Sequence, residues 1–154
     1  MGRDNARTPM QWDDTAQAGF TEGTPWLGVN PNYTWLNAKE QAGRGDSVLS
    51  FYKQLIKLRH TMDILVYGTY RLLLEESESI FAYERSLGDE RLTVLCNFTG
   101  QPQPGGLSCR DLGTGKVLIG NYPDRMGAAV GTIQALHEEG DICLRPYEAI
   151  VLMQ

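Results

Sequence analysis

The apolar residues of this chain change their spacing near residue 63, from a helical repeat to strict alternation. The helical repeat consists of Phe51, Leu55, Leu58 and Met62, at intervals of four, three and four residues. Such intervals place these side chains on one face of a helix. Beyond residue 63 the period becomes two: Leu92, Val94, Cys96 and Phe98 alternate onto one face, which is typical of a strand. This pattern predicts one amphipathic helix followed by antiparallel strands.

The helix is predicted to begin after a cap at Asp46 or Ser47 and to end near Met62. Basic side chains near its end suit the negative end of the helix dipole. We expect the apolar stripe to lie in a core rather than in a binding site, because such stripes usually pack on a sheet or barrel.

The strands are predicted at 69–74, 80–85, 92–98, 116–119, 132–136, 141–144 and 148–153. A hairpin is expected at 87–90, a Pro/Gly loop at 100–106 and a bend at Pro146. The 17 glycines and 7 prolines supply many turns. We therefore predict a mainly β fold, a small antiparallel β-sandwich of about 90 residues.

Residues 1–45 show no sustained periodicity, although they contain all three tryptophans, Trp12, Trp26 and Trp35. The segments 24–28 and 30–33 combine turn residues with large aromatic side chains. A long loop of this kind is usually functional or packed on another element. The sequence therefore indicates that this segment has a partner outside the chain.

Composition excludes several classes of function. The net charge of −5 argues against nucleic acid and anionic membranes as partners, and no apolar run is long enough to span a bilayer. The N-terminus has no apolar leader, and the three cysteines are odd in number and widely spaced. We interpret them as free thiols in a reducing, cytoplasmic compartment, with a zinc or disulfide site as the alternative.

The most informative string lies at 3–13. Arg3 and Arg7 stand four residues apart, beside an aspartate, an asparagine and the proline-fixed turn at Pro9. The planar guanidinium group of arginine binds vicinal hydroxyls or carboxylates with a fixed geometry. One interpretation is therefore that this string forms a rigid polar rim. A surface salt-bridge cluster is the other, and spacing alone favours it.

The string is similar to the RDNARTPMQW segment of glycoside hydrolase family 13 enzymes, in the group of oligo-1,6-glucosidase, trehalose-6-phosphate hydrolase and dextran glucosidase. The resemblance continues through 18–21, 24–26, 30–33 and 37–38. The stretch 47–59 resembles the last barrel helix of that family, and 144–149 resembles the closing strand of its C-terminal β domain. It thus covers the whole chain, most strongly before residue 62.

The resemblance implies that residues 1–62 form the last loop and last helix of a (β/α)₈ catalytic barrel, and that 63–154 form the C-terminal antiparallel β domain. It implies retaining hydrolysis of terminal α-glucosidic bonds, of the α-1,6 type, in short gluco-oligosaccharides. In that chemistry a carboxylate attacks the anomeric carbon while a carboxyl about 5 Å away protonates the leaving oxygen.

The family's catalytic carboxylates lie on earlier barrel strands, so we assign no catalytic residue in this chain. Asp4, Asp13 and Asp14 match none of them. The substrate-binding residues implied are Arg3, which resembles the arginine that binds hydroxyls of the non-reducing-end glucose, and Arg7. For Arg7, bracing of the loop is favoured over sugar contact. No cofactor and no metal ligand is implied.

The tryptophans are sugar-stacking candidates as well, but packing against the barrel is the favoured use. We expect this chain alone to be inactive, and residues 1–62 to dock on the β domain, to exchange between copies or to need the missing barrel. The alternative is a non-catalytic β-sandwich that binds carbohydrate or docks a partner. Against it, the strands show no evident row of exposed aromatic residues.

Overall fold

The structure is a computed structural model that describes residues 3–108, 112, 115–127 and 141–154. It divides into two compact units, Met1–Lys57 and Leu58–Gln154, and each is described by itself. The division falls within a helix, and the predicted domain boundary after residue 62 stays a prediction. Within the described ranges no helix combines the length and the apolar character needed to cross a membrane.

The first unit consists of short turns and helices. Turns of 3₁₀ helix occupy Arg3–Ala6, Ala16–Gly19 and Pro31–Thr34, and helix α1 spans Ala38–Ala42. Asn30 and Asn37 cap the last two of these elements, because the side-chain oxygen of each accepts a hydrogen bond from a backbone N–H two or three residues later. The asparagine-rich sequence thus becomes a series of capped turns rather than an unstructured loop.

Helix α2 spans Val48–Thr61, which confirms the predicted helix. Ser47 is its cap, since the Ser47 hydroxyl oxygen accepts a hydrogen bond from the Ser50 backbone N–H at 3.1 Å. No side chain of α2 is buried within this chain, whereas Met62, the last residue of the apolar stripe, packs against a buried cluster of the second unit. The prediction that the whole stripe lies in a core stays a prediction. Spacing shows which side chains share a helix face, whereas burial depends on what covers that face.

The second unit begins with the short helix α3, Ile64–Tyr67, and continues as seven strands among the described residues. The strands are β1 (Thr69–Leu73), β2 (Ile80–Leu87), β3 (Glu90–Asn97), β4 (Gln103–Ser108), β5 (Lys116–Gly120), β6 (Asp141–Leu144) and β7 (Ala149–Met153). Six predicted strands are confirmed within a few residues at their ends. The predicted strand at 132–136 lies outside the described residues.

Two antiparallel sheets form the predicted sandwich. One has the strand order β1-β2-β3-β7-β5, and the other pairs β4 with β6. A first core, called here the inner core, contains side chains of both sheets together with Leu112. Its buried members are Ile80, Ala82, Leu95, Leu112, Val117, Ile142, Leu144, Ile150 and Leu152.

The opposite face of the five-stranded sheet carries a second cluster, called here the outer cluster. Ile64 of α3 is fully buried there against Leu92 and Val94 of β3. Met62 and Leu65 pack against the same cluster from the segment around α3. The residues that precede the first strand therefore cover part of the sheet's outer face.

Two turn predictions have different outcomes. The hairpin at 87–90 is confirmed, with Leu87 paired to Glu90 and Gly88 at a φ of +58°, a conformation that glycine adopts without strain. The prediction of a loop at 100–106 is wrong from Gln103 onward, because β4 begins there. The pairing of β4 with β6 is irregular between Pro104 and Ser108, so an edge strand tolerates the proline.

The bend between β6 and β7 lies at Pro146, as predicted, and a buried carboxylate organises it. Glu148, which is 0% exposed, accepts hydrogen bonds from the Arg145 backbone N–H at 2.7 Å and from the Arg125 Nε at 2.8 Å. Arg145 also binds both oxygens of Asp124 at 3.0 Å, and its guanidinium lies 3.9 Å from the centre of the Tyr122 ring. We call Glu148 with these partners the Glu148 hub.

Replacement of Glu148 by alanine should lower the free energy of unfolding by about 3–5 kcal/mol, because it leaves the guanidinium of Arg125 beside an empty site. Urea denaturation followed by circular dichroism measures the change. Glu90→Ala at the exposed start of β3 is the matched control and should change stability by less than about 0.5 kcal/mol. Equal effects of the two substitutions would show that the hub does not stabilise the fold.

Candidate functional site

The motif at 3–13 opens with a 3₁₀ turn, Arg3–Ala6. The backbone of Arg3 begins this turn, and its side chain lies outside what the structure describes. The Arg7 backbone N–H donates to the Asp4 carbonyl at 2.9 Å, and the Arg7 side chain is exposed. Among the described residues the Arg7 guanidinium makes no hydrogen bond. The sugar-binding roles of Arg3 and Arg7 stay predictions.

Gln11, which the sequence analysis did not single out, braces part of the loop, and the bracing role of Arg7 stays a prediction. Its side-chain amide donates to the Asn32 side-chain oxygen at 2.9 Å and to the Leu36 carbonyl. Its carbonyl accepts from the Ala38 backbone N–H at 2.9 Å. One residue of the motif thus holds the turn at Pro31–Thr34 and the start of α1 together. The asparagines of 30–37 could have indicated this hydrogen-bond network from the sequence, because asparagine side chains commonly form hydrogen bonds with the backbone in turns.

Asp13 closes the next turn of the loop. Its carboxylate accepts hydrogen bonds from the Thr15 hydroxyl and from the Thr15 backbone N–H at 2.9 Å. These two bonds hold the pKa of Asp13 below its usual range, because they favour the charged form. A general acid needs a raised pKa, so this environment suits a structural carboxylate.

The turn beside Asp13 has an uncommon backbone. Gln17, Ala18 and Gly19 have consecutive φ values of +55°, +57° and +65°, and side chains other than glycine rarely adopt this region. The Ala18 carbonyl accepts from the backbone N–H groups of Trp12 and Asp13 at 2.9 and 3.2 Å. Such a backbone persists only where its surroundings hold it, so this segment is a rigid part of the loop.

Asp14 and the tryptophans lie at the surface of this unit. Asp14 makes an exposed ion pair with Lys39, with 3.3 Å between the charged atoms. Trp12, Trp26 and Trp35 are 54%, 82% and 67% exposed. The loop thus exposes large aromatic surfaces, and both uses weighed from the sequence, sugar stacking and packing against the barrel, stay open.

The sheet of the second unit carries a row of aromatic side chains, and the prediction that such a row is lacking is wrong. The Tyr70 and Tyr83 ring centres are 5.3 Å apart, those of Tyr83 and Phe81 5.7 Å, and those of Phe81 and Phe98 6.5 Å. Tyr70, Phe81 and Phe98 are exposed. Tyr70 lies on β1, Phe81 on β2, and Phe98 directly follows β3, so the strand register brings them together.

Metal and disulfide sites were the alternatives for the cysteines. Cys96 and Cys143 are both free, and burial raises the pKa of the Cys96 thiol. No group of three or more potential metal ligands occurs in the part of the chain that the structure describes. Cys109 lies outside that part.

The chain is similar in sequence to known proteins. Residues 1–68 match the family description "Alpha amylase, catalytic domain". The chain is 46% identical, over 97% of its length, to an oligo-1,6-glucosidase of Bacillus cereus and covers 25% of that protein. The chain therefore spans about a quarter of the length of the curated relatives it matches.

Solved structures give the same result. A trehalose-6-phosphate hydrolase of Bacillus licheniformis matches 99% of the chain at 38% identity, with a TM-score of 0.80 and 26% of that protein covered. A trehalulose synthase of Pseudomonas mesoacidophila matches 99% at 38% identity, with a TM-score of 0.82 and 26% covered. Both matches therefore extend over nearly the whole of this chain.

Replacement of Gly19 by alanine should disrupt the loop around Asp13. An added Cβ would meet the Asp13 carboxylate oxygen at 2.7 Å, and the φ of +65° costs a side chain about 1–2 kcal/mol. Hydrogen exchange at the backbone N–H groups of Trp12 and Asp13 should become about tenfold faster. Gly28→Ala is the control, because its Cβ would meet nothing within 4 Å. Unchanged exchange in Gly19→Ala would argue against a rigid loop.

Proposed function

Because this chain belongs to the α-amylase family, glycoside hydrolase family 13, we propose that it forms the last substrate-facing loop and the C-terminal β domain of an α-glucosidase. That enzyme hydrolyses terminal α-1,6 bonds of short gluco-oligosaccharides with retention of configuration. The observation that carries the proposal is the 46% identity to an oligo-1,6-glucosidase across 97% of the chain, with the motif at 3–13 included.

The chain's part in this reaction is to bind and orient the sugar. Arg3 donates hydrogen bonds to hydroxyls of the glucose at the non-reducing end, and the charge on its guanidinium strengthens them. The hydrogen bonds of Gln11 and Asp13 support this role, because they fix the loop that carries the arginine. Arg7 stands one turn further along, at the edge of the sugar site.

The chain needs a partner to be active. Retaining hydrolysis requires a nucleophilic carboxylate and a protonated carboxyl about 5 Å apart. The hydrogen bonds that lower the pKa of Asp13 do not suit a general acid, and Asp4, Asp13 and Asp14 match none of the family's catalytic carboxylates. We therefore propose that the catalytic pair belongs to a barrel portion outside this chain, that residues 1–62 complete that barrel, and that 154 residues alone hydrolyse no α-glucoside.

Two features of the proposal rest on the sequence. A cytoplasmic compartment agrees with the free thiols of Cys96 and Cys143. Hydrolysis at α-1,6 bonds rests on the names of curated relatives, oligo-1,6-glucosidase and glucan 1,6-alpha-glucosidase, whereas the similar solved structures are a trehalose-6-phosphate hydrolase and a trehalulose synthase. Choice among isomaltose, dextran ends, trehalose 6-phosphate and maltose belongs to loops after earlier barrel strands.

A second candidate is a non-catalytic binding module, which the exposed aromatic row favours. Isothermal titration of the 154-residue chain with isomaltose or maltose separates the two candidates. Millimolar or tighter binding, abolished by Phe81→Ala, would support a sugar-binding module. The enzyme proposal expects no binding by the chain alone, because the barrel supplies most of the sugar contacts.

A chimeric enzyme tests the proposed function. It joins the first three quarters of the Bacillus cereus oligo-1,6-glucosidase to this chain in place of the relative's matched quarter. The chimera should hydrolyse isomaltose and p-nitrophenyl α-glucoside, whereas the chain alone should hydrolyse neither. Hydrolysis by the purified chain, lost on mutation of one of its own carboxylates, would overturn the proposal.

In the chimera, Arg3→Ala should lower kcat/KM by about 10- to 100-fold, the value of one to two charge-assisted hydrogen bonds. Arg7→Ala should lower it by less than about threefold if Arg7 only lies near the site. Arg44→Ala removes an exposed arginine paired with Asp46 and is the control that should leave kcat/KM unchanged. An Arg3→Ala chimera with the activity of the control would remove Arg3 from the sugar site.

A further inference from the structure

We propose that Tyr147, in the bend between β6 and β7, is a sugar-binding platform for one glucose unit of an α-1,6-linked glucan chain. We call the ring with the backbone that supports it the Tyr147 platform. The β domain has no sugar contact in the proposed function, so the inference adds a binding site to it. It rests on the proposed function for the identity of the sugar.

The backbone of Tyr147 has a conformation that bulky side chains rarely adopt. Its φ is +53°, in the left-handed region that glycine and asparagine enter more readily than tyrosine. A single exposed aromatic residue is ordinary at a protein surface and carries no argument by itself. An unfavourable backbone under an exposed ring is different, because such conformations concentrate at sites where the side chain has a function.

Hydrogen bonds on both sides of Tyr147 hold this conformation. Its backbone N–H donates to the Thr99 carbonyl at 3.0 Å, and its carbonyl accepts from the Asn121 side-chain amide at 2.8 Å. The Asn97 side chain, in a residue that is 3% exposed, donates to the Arg145 carbonyl at 2.9 Å. The ring therefore leaves a backbone that is fixed before any ligand arrives, which lowers the entropy cost of binding.

The ring lies against Gly100. A Cβ at this glycine would stand 3.2 Å from the Tyr147 hydroxyl oxygen and 3.6 Å from two carbons of the ring. Gly100 has no positive φ, so glycine provides space here rather than backbone freedom. The Tyr147 side chain is nonetheless 65% exposed. The ring thus has a support at one edge, and most of its surface faces solvent.

The surroundings of the ring suit a neutral ligand that is rich in hydroxyl groups. Arg145 and Glu148, which flank the bend, are paired with each other at 3.2 Å and leave no unbalanced charge between them to attract an ion. A sugar packs its C–H groups on an aromatic ring and forms hydrogen bonds between its hydroxyls and amide or hydroxyl groups. Uncharged polar side chains of this kind lie on the segments that contact Tyr147, at Thr99, Gln101 and Asn121.

A single ring binds weakly, so the length of the glucan matters. One aromatic contact supplies too little free energy to hold a disaccharide in the millimolar range. A long chain presents a glucose unit to the ring at every position along its length, and its apparent affinity rises accordingly. The Tyr147 platform should therefore retain dextran, while a titration of the same protein with isomaltose shows no binding.

Native gel electrophoresis in the presence and absence of dextran tests the inference on the 154-residue chain. Dextran should slow the migration of the chain relative to a reference protein that binds no sugar, and Tyr147→Ala should abolish this shift. Tyr67→Ala removes a tyrosine that is 72% exposed and is the matched control, which should keep the shift. A chain that dextran does not slow, or an equal shift in Tyr147→Ala, would overturn the inference.

Two further substitutions separate a binding role from a structural role. Tyr147→Trp keeps an aromatic ring and should keep the dextran shift. Tyr147→Asn suits the left-handed backbone better, so it should abolish the shift without lowering the urea midpoint of unfolding. A lower urea midpoint in Tyr147→Asn would assign the ring to the stability of the bend and overturn the inference.

A second polymer tests the kind of sugar. Hydroxyethylcellulose also consists of glucose units but joins them by β bonds, which turn successive rings differently. It should slow the chain less than dextran does. Equal shifts in the two gels would show general stacking on an exposed ring and would overturn the assignment to an α-glucan.

The chimera described above separates this inference from the proposed function. There Tyr147→Ala should raise KM for dextran by about threefold with kcat unchanged, because it removes uniform binding, and should leave isomaltose hydrolysis unaltered. A chimera without α-glucosidase activity whose dextran shift is lost in Tyr147→Ala would refute the proposed function and support the platform. An active chimera in which Tyr147→Ala changes neither the shift nor KM for dextran would support the function and overturn the platform.

Discussion

The β domain depends on one buried charge. Glu148 lies between β6 of the small sheet and β7 of the large sheet, and its carboxylate receives Arg125, which follows β5, and the backbone of Arg145, which follows β6. A carboxylate without exposure is costly unless every oxygen is paired, so the chain can place Glu148 there only when these segments arrive together. Burial of the inner core supplies the driving force, and the hub selects how the chain passes from one sheet to the other.

The loop of residues 9–39 is also held by polar side chains that form hydrogen bonds with the backbone. It buries little apolar surface, so its shape rests on side-chain amides and carboxylates that bind the backbone, with Gln11 and Asp13 at its centre. The strained backbone at 17–19 can exist only within that network. A loop held in this way has a fixed backbone while its tryptophans Trp12, Trp26 and Trp35 stay exposed.

The outer face of the large sheet is only partly covered within this chain. Met62, Ile64 and Leu65 pack on one part of this face, and Arg85 binds the backbone carbonyls where this segment enters β1. The rings of Tyr70, Phe81, Tyr83 and Phe98 form a row on another part of the face, and three of the four are exposed. The β domain thus combines the core of a sandwich with an outer face that is partly apolar and exposed.

The sequence by itself determined the order and type of the elements. Helical and alternating repeats, the Leu87–Glu90 turn and the bend at Pro146 depend on local preferences, so α2 and six strands could be predicted. The motif at 3–13 identified the family, because its residue types match a known segment. Tertiary structure alone decided that the α2 stripe is only half-buried in this chain, that Gln11 links two turns of the loop and that four rings from β1, β2 and the residue after β3 form one row. Each of these depends on residues that are distant in sequence, and local spacing carries no information about which distant residues meet.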